Sequence, residues 1–156
     1  MASLVEELVN VLEAEKQIYT TLVGYEERKK DVLIAADVAT LEEITTKEQL
    51  AGDDLIAYSN KQIQILKDIA TVLGRTDGKM TVTRLISLLD TQPKVQEQLT
   101  EARDSLLTAA NQMKTLSDQN AILIRQAIEL NEFDMTLFKS LRQAPETANY
   151  DKSAYN

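Results

Sequence analysis

The sequence predicts an all-α protein: an antiparallel helical hairpin plus a longer third helix, with a short connector helix, in one elongated coiled-coil-like bundle. Three observations predict this fold. Only 4 of the 156 residues are Gly and 2 are Pro, too few for the turns that many strands would need. Apolar residues recur at alternating three- and four-residue steps, the period of helices that pack along a seam. The balance of 44% hydrophobic and 27% charged residues also differs from that of a disordered chain.

The first helix is predicted over residues 3–36 from one stripe of apolar side chains. Glu15 and Lys29 interrupt the stripe. Gly24 lies in the helix interior, where glycine costs about 1 kcal/mol relative to alanine, and it predicts a close helix crossing. The stripe consists of Leu4, Leu8, Val11, Ile18, Leu22, Tyr25 and Val32.

The second helix follows a tight reversal and is predicted to end at Gly74, because glycine favours the left-handed conformation that commonly follows a helix. Thr40 and Glu43 have the spacing of a capping box at its start, as do Ser3 and Glu6 at the start of the first helix. The two helices are therefore expected to form an antiparallel hairpin of near-equal arms.

The third helix is the most regular element. A short amphipathic helix over residues 83–89 precedes it, and Pro93 fits its first turn, where the missing N–H costs nothing. The apolar steps then continue over residues 95–141, and only Asn120 and Asp134 are polar among them. One helical domain is predicted over residues 1–142, followed by a flexible polar tail over 143–156.

The third helix is predicted to be longer than the hairpin that it packs on. At about 1.5 Å per residue it spans roughly 75 Å, against roughly 50 Å for each arm. It should draw level with the turn of the hairpin near Ala127. Beyond that residue it becomes more apolar and contains both Phe residues of the chain, which is typical of a surface for another protein.

Two alternatives for this apolar stretch remain open. It could close the end of the bundle, or it could pair with a second copy in a coiled-coil dimer whose register is fixed by Asn120 and Asp134. Asn120 fits equally well as a buried polar residue that forms hydrogen bonds within the bundle.

Composition disfavours several classes of function. The chain has no His, Cys or Trp, so it holds no Ser-His-Asp or Cys-His site, no zinc site of the usual kind and no disulfide. We expect no enzyme activity, no metal and no cofactor. A net charge of −8 disfavours nucleic acid and anionic membranes as partners. The absence of a signal-like start and of a long apolar run predicts a cytoplasmic protein.

Several segments share their residue spacing with one known family. These segments are Leu4-x3-Leu8-x3-Leu12, Glu15-x3-Tyr19-x2-Leu22, Leu41-x2-Ile44-x3-Glu48-Gln49, Leu116-x3-Asn120-x2-Leu123-Ile124-x2-Ala127-Ile128 followed by Phe133, and Tyr150-x4-Tyr155. Over nearly the whole chain they resemble the FlgN-like flagellar export chaperones.

The resemblance implies a cytoplasmic chaperone that binds C-terminal helical segments of hook-associated proteins, keeps these proteins soluble and hands them to the type III export apparatus. In that family the client contacts lie toward the C-terminal helical region. On this chain the implied partner-binding residues are Leu123, Ala127, Leu130, Phe133, Leu137, Phe138, Leu141 and Tyr150. The alternative is a homodimeric coiled-coil structural or adaptor protein without a role in secretion.

Overall fold

A computed structural model describes residues 1–143, except the side chains of Phe138, Arg142 and Gln143. The described residues form four helices and no strand: α1 (Ala2–Ile34), α2 (Val38–Leu73), α3 (Val82–Leu88) and α4 (Pro93–Gln143). The predicted all-α fold is confirmed: α3 is the connector helix and α4 is the long third helix. The tail predicted after α4 lies outside the described residues.

α1 is the central helix of the bundle. α2 and α4 each pack along it, and they make few contacts with each other. α2 returns antiparallel to α1, and the connector carries the chain back so that α4 runs in the same direction as α1. The side chain of Asn120 contacts Glu26, while Leu99 packs in one cluster with Val5. The start of α4 therefore lies beside the start of α1, and the two helices remain in parallel register.

The main apolar core lies at the end of the molecule where α1 and α4 begin. The end of α2 and the connector complete this core, so α3 closes that end of the bundle. Burial of each large apolar side chain contributes about 2 kcal/mol. The fully buried side chains of this cluster are Leu8, Leu12, Ile69, Leu85 and Leu99.

The starts of α1 and α2 differ from the predicted capping boxes. α1 follows Met1 without a side-chain cap, so Ser3 lies inside the helix. α2 is capped by Asp37, which accepts hydrogen bonds from the Thr40 hydroxyl at 2.6 Å and from the Thr40 N–H at 3.2 Å. These two hydrogen bonds lower the pKa of the Asp37 carboxyl. Thr40 is a donor in the first turn and not the cap.

α2 begins at Val38, before the predicted cap residue Thr40, because the turn that precedes it is tight. Ala36 has a φ of 54°, in the left-handed region, and the Asp37 N–H donates to the Val32 carbonyl at 3.1 Å. These contacts end α1 at Ile34 and bring Asp37 directly to the cap position of α2.

Gly24 and Gly74 have different roles. Gly74 ends α2 with a φ of 66°, as predicted. Gly24 lies exposed in α1, and a Cβ atom added there would meet nothing within 4 Å. The predicted close crossing at Gly24 is therefore wrong.

The same substitution should have opposite effects at these two glycines. Gly24→Ala is expected to raise the free energy of unfolding by about 1 kcal/mol, because alanine loses less backbone entropy in a helix. Gly74→Ala is expected to lower it by about 1 kcal/mol, because a Cβ is unfavourable at positive φ. Urea unfolding followed by circular dichroism measures both, and changes of the same sign would contradict this account.

Candidate protein-binding surface

The end of α4 extends beyond the rest of the bundle. Because α1 and α4 run parallel and Asn120 lies beside Glu26, the last residue of α1, Ile34, is level with Ile128. The comparison of helix lengths predicted that α4 would draw level with the turn of the hairpin near Ala127, one residue earlier. The fifteen residues from 129 to 143 then project about 22 Å past the hairpin.

The projecting part of α4 is exposed, and its large apolar side chains are interspersed with polar and charged ones. Every residue from 125 to 135 is exposed, and Leu130, Phe133 and Leu141 each retain more than three fifths of their accessible surface, at 62%, 62% and 67%. We name the exposed apolar side chains of this stretch the α4 band. It consists of Ala127, Ile128, Leu130, Phe133, Met135, Leu137 and Leu141.

The α4 band is wider than the seam of a simple coiled coil. At 3.6 residues per turn its members cover about 220° of the helix circumference. Asn131 and Asp134 also lie within this arc, so the face is not apolar throughout. Several large apolar side chains exposed together on one helix nevertheless indicate a surface for a partner. The hairpin of α1 and α2 ends level with Ile128, so it does not bury the members of the band beyond that residue.

The predicted site residues fall into three groups. Leu123 is half-buried, still within the level of the bundle. The side chain of Phe138 and all of Tyr150 lie outside the described residues. The exposed members are Ala127, Leu130, Phe133, Leu137 and Leu141. Ile128 and Met135 belong to the same apolar stretch of the sequence but were not among the predicted site residues.

The alternative that the apolar stretch closes the end of the bundle is wrong for the described residues. α3 does not meet the α4 band, because α3 packs in the core at the other end, with Leu85 fully buried there. The described hairpin ends level with Ile128, so most of the α4 band lies beyond it. Within residues 1–143, the stretch after Ile128 therefore does not close the end of the bundle.

A polar network lies eight residues before the level where α4 leaves the bundle. Asn120 is 3% exposed, and its Nδ2 donates to both the backbone carbonyl and Oε2 of Glu26, each at 2.7 Å. Lys29 Nζ lies 3.6 Å from Glu26 Oε1 and donates to Glu48 Oε2 at 2.7 Å. The network thus joins α4 to α1 and α1 to α2.

The charged side chains of this network are shielded from solvent and are compensated by one another. Glu26 is buried, and Lys29 and Glu48 are largely shielded from solvent. Burial raises the pKa of Glu48, and the hydrogen bond from Lys29 opposes that shift. Glu48 Oε1 has no hydrogen-bond partner among the described residues. Asn120 forms its hydrogen bonds with Glu26 within the bundle. Its side chain is therefore not available to fix the register of a coiled-coil dimer.

Removing the amide of Asn120 should destabilise the bundle. Asn120→Ala is expected to lower the free energy of unfolding by about 2 kcal/mol, because it leaves the buried Glu26 carboxylate without this donor. Asn111→Ala, at an exposed position of the same helix, is the matched control and should change it by less than about 0.5 kcal/mol. Equal effects in urea unfolding would refute the structural role of the network.

Glu15 is a second buried polar residue on α1. With its amide nitrogen turned toward the carboxyl group, Gln62 Nε2 lies 2.6 Å from Oε1 and 3.2 Å from Oε2 of Glu15. Burial raises the pKa of Glu15 from 4.5 to about 7. Burial and the neighbouring Glu15 also raise the pKa of Tyr19. Hydrogen bonds from the neutral Gln62 amide favour the Glu15 carboxylate, whereas burial is the cause that raises its pKa.

The raised pKa of Glu15 predicts a pH-dependent stability. The folded chain keeps a proton that the unfolded chain releases between pH 4.5 and about 7, so the free energy of unfolding should fall as the pH rises through that window. Glu15→Gln removes this term and is expected to be more stable than wild type by about 2 kcal/mol at pH 8, with little gain at pH 4.

Urea unfolding at both pH values measures this difference. Glu13→Gln removes the same charge from an exposed position of α1 and serves as the control. A stability gain from Glu15→Gln that is equal at pH 4 and pH 8 would contradict the assignment.

The described residues contain neither a candidate metal site nor a candidate membrane span. No group of three or more Asp or Glu side chains there is arranged to hold a metal ion. No helix within residues 1–143 is long and apolar enough to cross a membrane.

Comparison with known proteins gives one match over almost the entire chain. The model of the family described as FlgN protein matches residues 1–155. Over 98 residues, 63% of this chain, the sequence is 31% identical to an alanine–tRNA ligase of Pseudoalteromonas translucida strain TAC 125. The matched segment covers only 9% of the ligase. This similarity therefore gives no reason to assign the ligase's activity to this chain. No solved structure matches the chain.

Proposed function

This chain belongs to the FlgN family of flagellar export chaperones, and we propose that it binds hook-associated proteins and keeps them soluble for type III export during flagellum assembly. The observation that carries the proposal for the binding site is the α4 band, which projects about 22 Å beyond the hairpin with its apolar side chains exposed. We propose that client proteins bind to this band.

The proposed client segment is an amphipathic helix from the C-terminal part of a hook-associated protein. Such segments pair with one another in coiled coils and would associate prematurely if they were free. The α4 band offers them a substitute apolar helix face. Its burial would contribute about 25 cal/mol per Å2 of apolar surface, less the cost of ordering the client.

The mechanism requires no covalent step and no cofactor. The bundle acts as a rigid base, and the apolar core around α3 keeps the start of α4 in place. A net charge of −8 would help to keep the complex of chaperone and client in solution. Binding must precede export, so we place this action in the cytoplasm, with delivery to components of the export apparatus.

The whole of residues 1–142 is proposed to act as one domain. The predicted polar tail, which contains Tyr150, lies outside the described residues, and we propose that Tyr150 contacts the client. A second copy of the chain is the alternative occupant of the α4 band, because wide apolar helices also form homodimers.

Client capture tests the proposed site. We expect Leu130→Asp and Phe133→Asp each to reduce recovery of a co-expressed hook-associated protein at least about tenfold, because each places a charge in an apolar interface. Leu107→Asp, at an exposed leucine of α4 within the bundle level, is the matched control and should leave capture unchanged. Circular dichroism verifies that all three variants retain their helical content.

Undiminished client capture by both Leu130→Asp and Phe133→Asp would contradict the proposed binding site. Sedimentation velocity measures whether the chain forms a dimer, which tests a second copy as the alternative occupant of the α4 band. A dimer that Leu130→Asp dissociates, combined with unchanged client capture, would instead favour the homodimeric structural or adaptor protein.

A further inference from the structure

A groove lies at the opposite end of the molecule from the α4 band. The last turns of α2 and the loop over residues 75–80 enclose about 410 Å3 between them. We propose that this space, the α2 groove, binds an acidic segment of a second protein that inserts one large apolar side chain. This site is separate from the client site and does not depend on the proposed function.

The floor of the α2 groove is apolar. Leu66, Ala70 and Met80 line it and are buried by their own neighbours, while Ile63 forms one wall and remains 46% exposed. The volume lies in the range of sites that hold small ligands or single anchoring side chains. A Leu, Phe or Met side chain of a partner would cover the exposed face of Ile63.

The rim of the α2 groove is positively charged. Lys67, Arg75 and Lys79 line it, and no Asp or Glu is among its lining residues. None of these three cations forms an ion pair with a carboxylate of the described residues. On a chain with a net charge of −8, this local excess of cations favours carboxylates of a partner.

The loop that carries Arg75 and Lys79 is held in place without a ligand. At its start the Arg75 N–H donates to the Ala70 carbonyl at 2.9 Å. Near its middle Asp77 forms an ion pair with Arg84 of α3 at 3.2 Å. At its end the buried side chain of Met80 anchors it to the core. A preformed loop lowers the ordering cost of binding.

The apolar floor favours a peptide over other anionic partners. A phosphate backbone or a lipid headgroup would satisfy the cations but would leave Ile63 and the floor uncovered. An acidic segment with one apolar anchor matches both features.

The two surfaces can be occupied together. α2 spans Val38–Leu73, which corresponds to about 54 Å. The α2 groove lies at the end of this helix, and the α4 band lies beyond its beginning. A partner in the groove would therefore not displace a client on the band.

A peptide selection tests the proposal. Short random peptides displayed on phage are selected against the full chain, and enriched sequences are synthesised for fluorescence anisotropy. We expect enriched peptides with Asp and Glu around a Leu, Phe or Met. Their affinity should fall at least about tenfold with Arg75→Glu plus Lys79→Glu, with Ile63→Glu, and at raised ionic strength.

Matched controls separate the groove from general charge and from the α4 band. Lys30→Glu plus Lys114→Glu reverses two exposed cations elsewhere, and Ile56→Glu changes another exposed isoleucine of α2. Neither control, nor Leu130→Asp, should change the affinity by more than about twofold. Circular dichroism establishes that each variant is folded.

Four outcomes would overturn the assignment. The first is a selection that yields no acidic peptides with an apolar anchor. The second is unchanged affinity of the enriched peptides for both groove variants. The third is binding to vesicles of phosphatidylglycerol and phosphatidylcholine that the Arg75→Glu plus Lys79→Glu variant loses, which would assign a lipid surface instead. The fourth is self-association that this variant abolishes, which would assign a second copy.

Discussion

The hydrogen bonds that Asn120 donates to Glu26 constrain the position of α4 along α1. An interface of Leu, Val and Ala side chains alone would tolerate a shift by one heptad, because the apolar pattern repeats. A buried amide and a buried carboxylate tolerate no such shift, since each would lose its partner. The length of α4 that projects past the hairpin follows from this register, and so does the extent of the α4 band.

The apolar core and the proposed client surface therefore lie at opposite ends of the molecule. At one end the starts of α1 and α4, the end of α2, and α3 bury a shared apolar core. At the other end only α4 continues, with its apolar side chains exposed. A partner can gain from covering the α4 band without disturbing the core, because the two lie at opposite ends of the long helices. The α2 groove occupies the surface beside the core, where a loop held by an ion pair can present fixed charges.

Much of the proposed client surface could be predicted from the sequence, because it depends on helix lengths and on apolar character. Leu130, Phe133 and Leu141 are exposed where the length comparison leaves α4 without a neighbour. Ile128 and Met135 belong to the same apolar stretch of the sequence, and the structure adds that both are exposed. The α2 groove was not predicted at all. Its lining comes from a helix and a loop whose proximity depends on the fold of the connector.

The sequence by itself determined the four helices and the long projection of α4, because helix period, glycine and proline act locally along the chain. It did not determine the helix caps, where Asp37 replaced Thr40 once the turn at Ala36 tightened. Only the tertiary structure decided the roles of the residues that break the apolar pattern. Glu15, Lys29 and Asn120 read as interruptions in the sequence, yet Glu15 and Asn120 are buried and Lys29 is largely shielded. Their partners come from other helices, and such distant pairings leave no local signal.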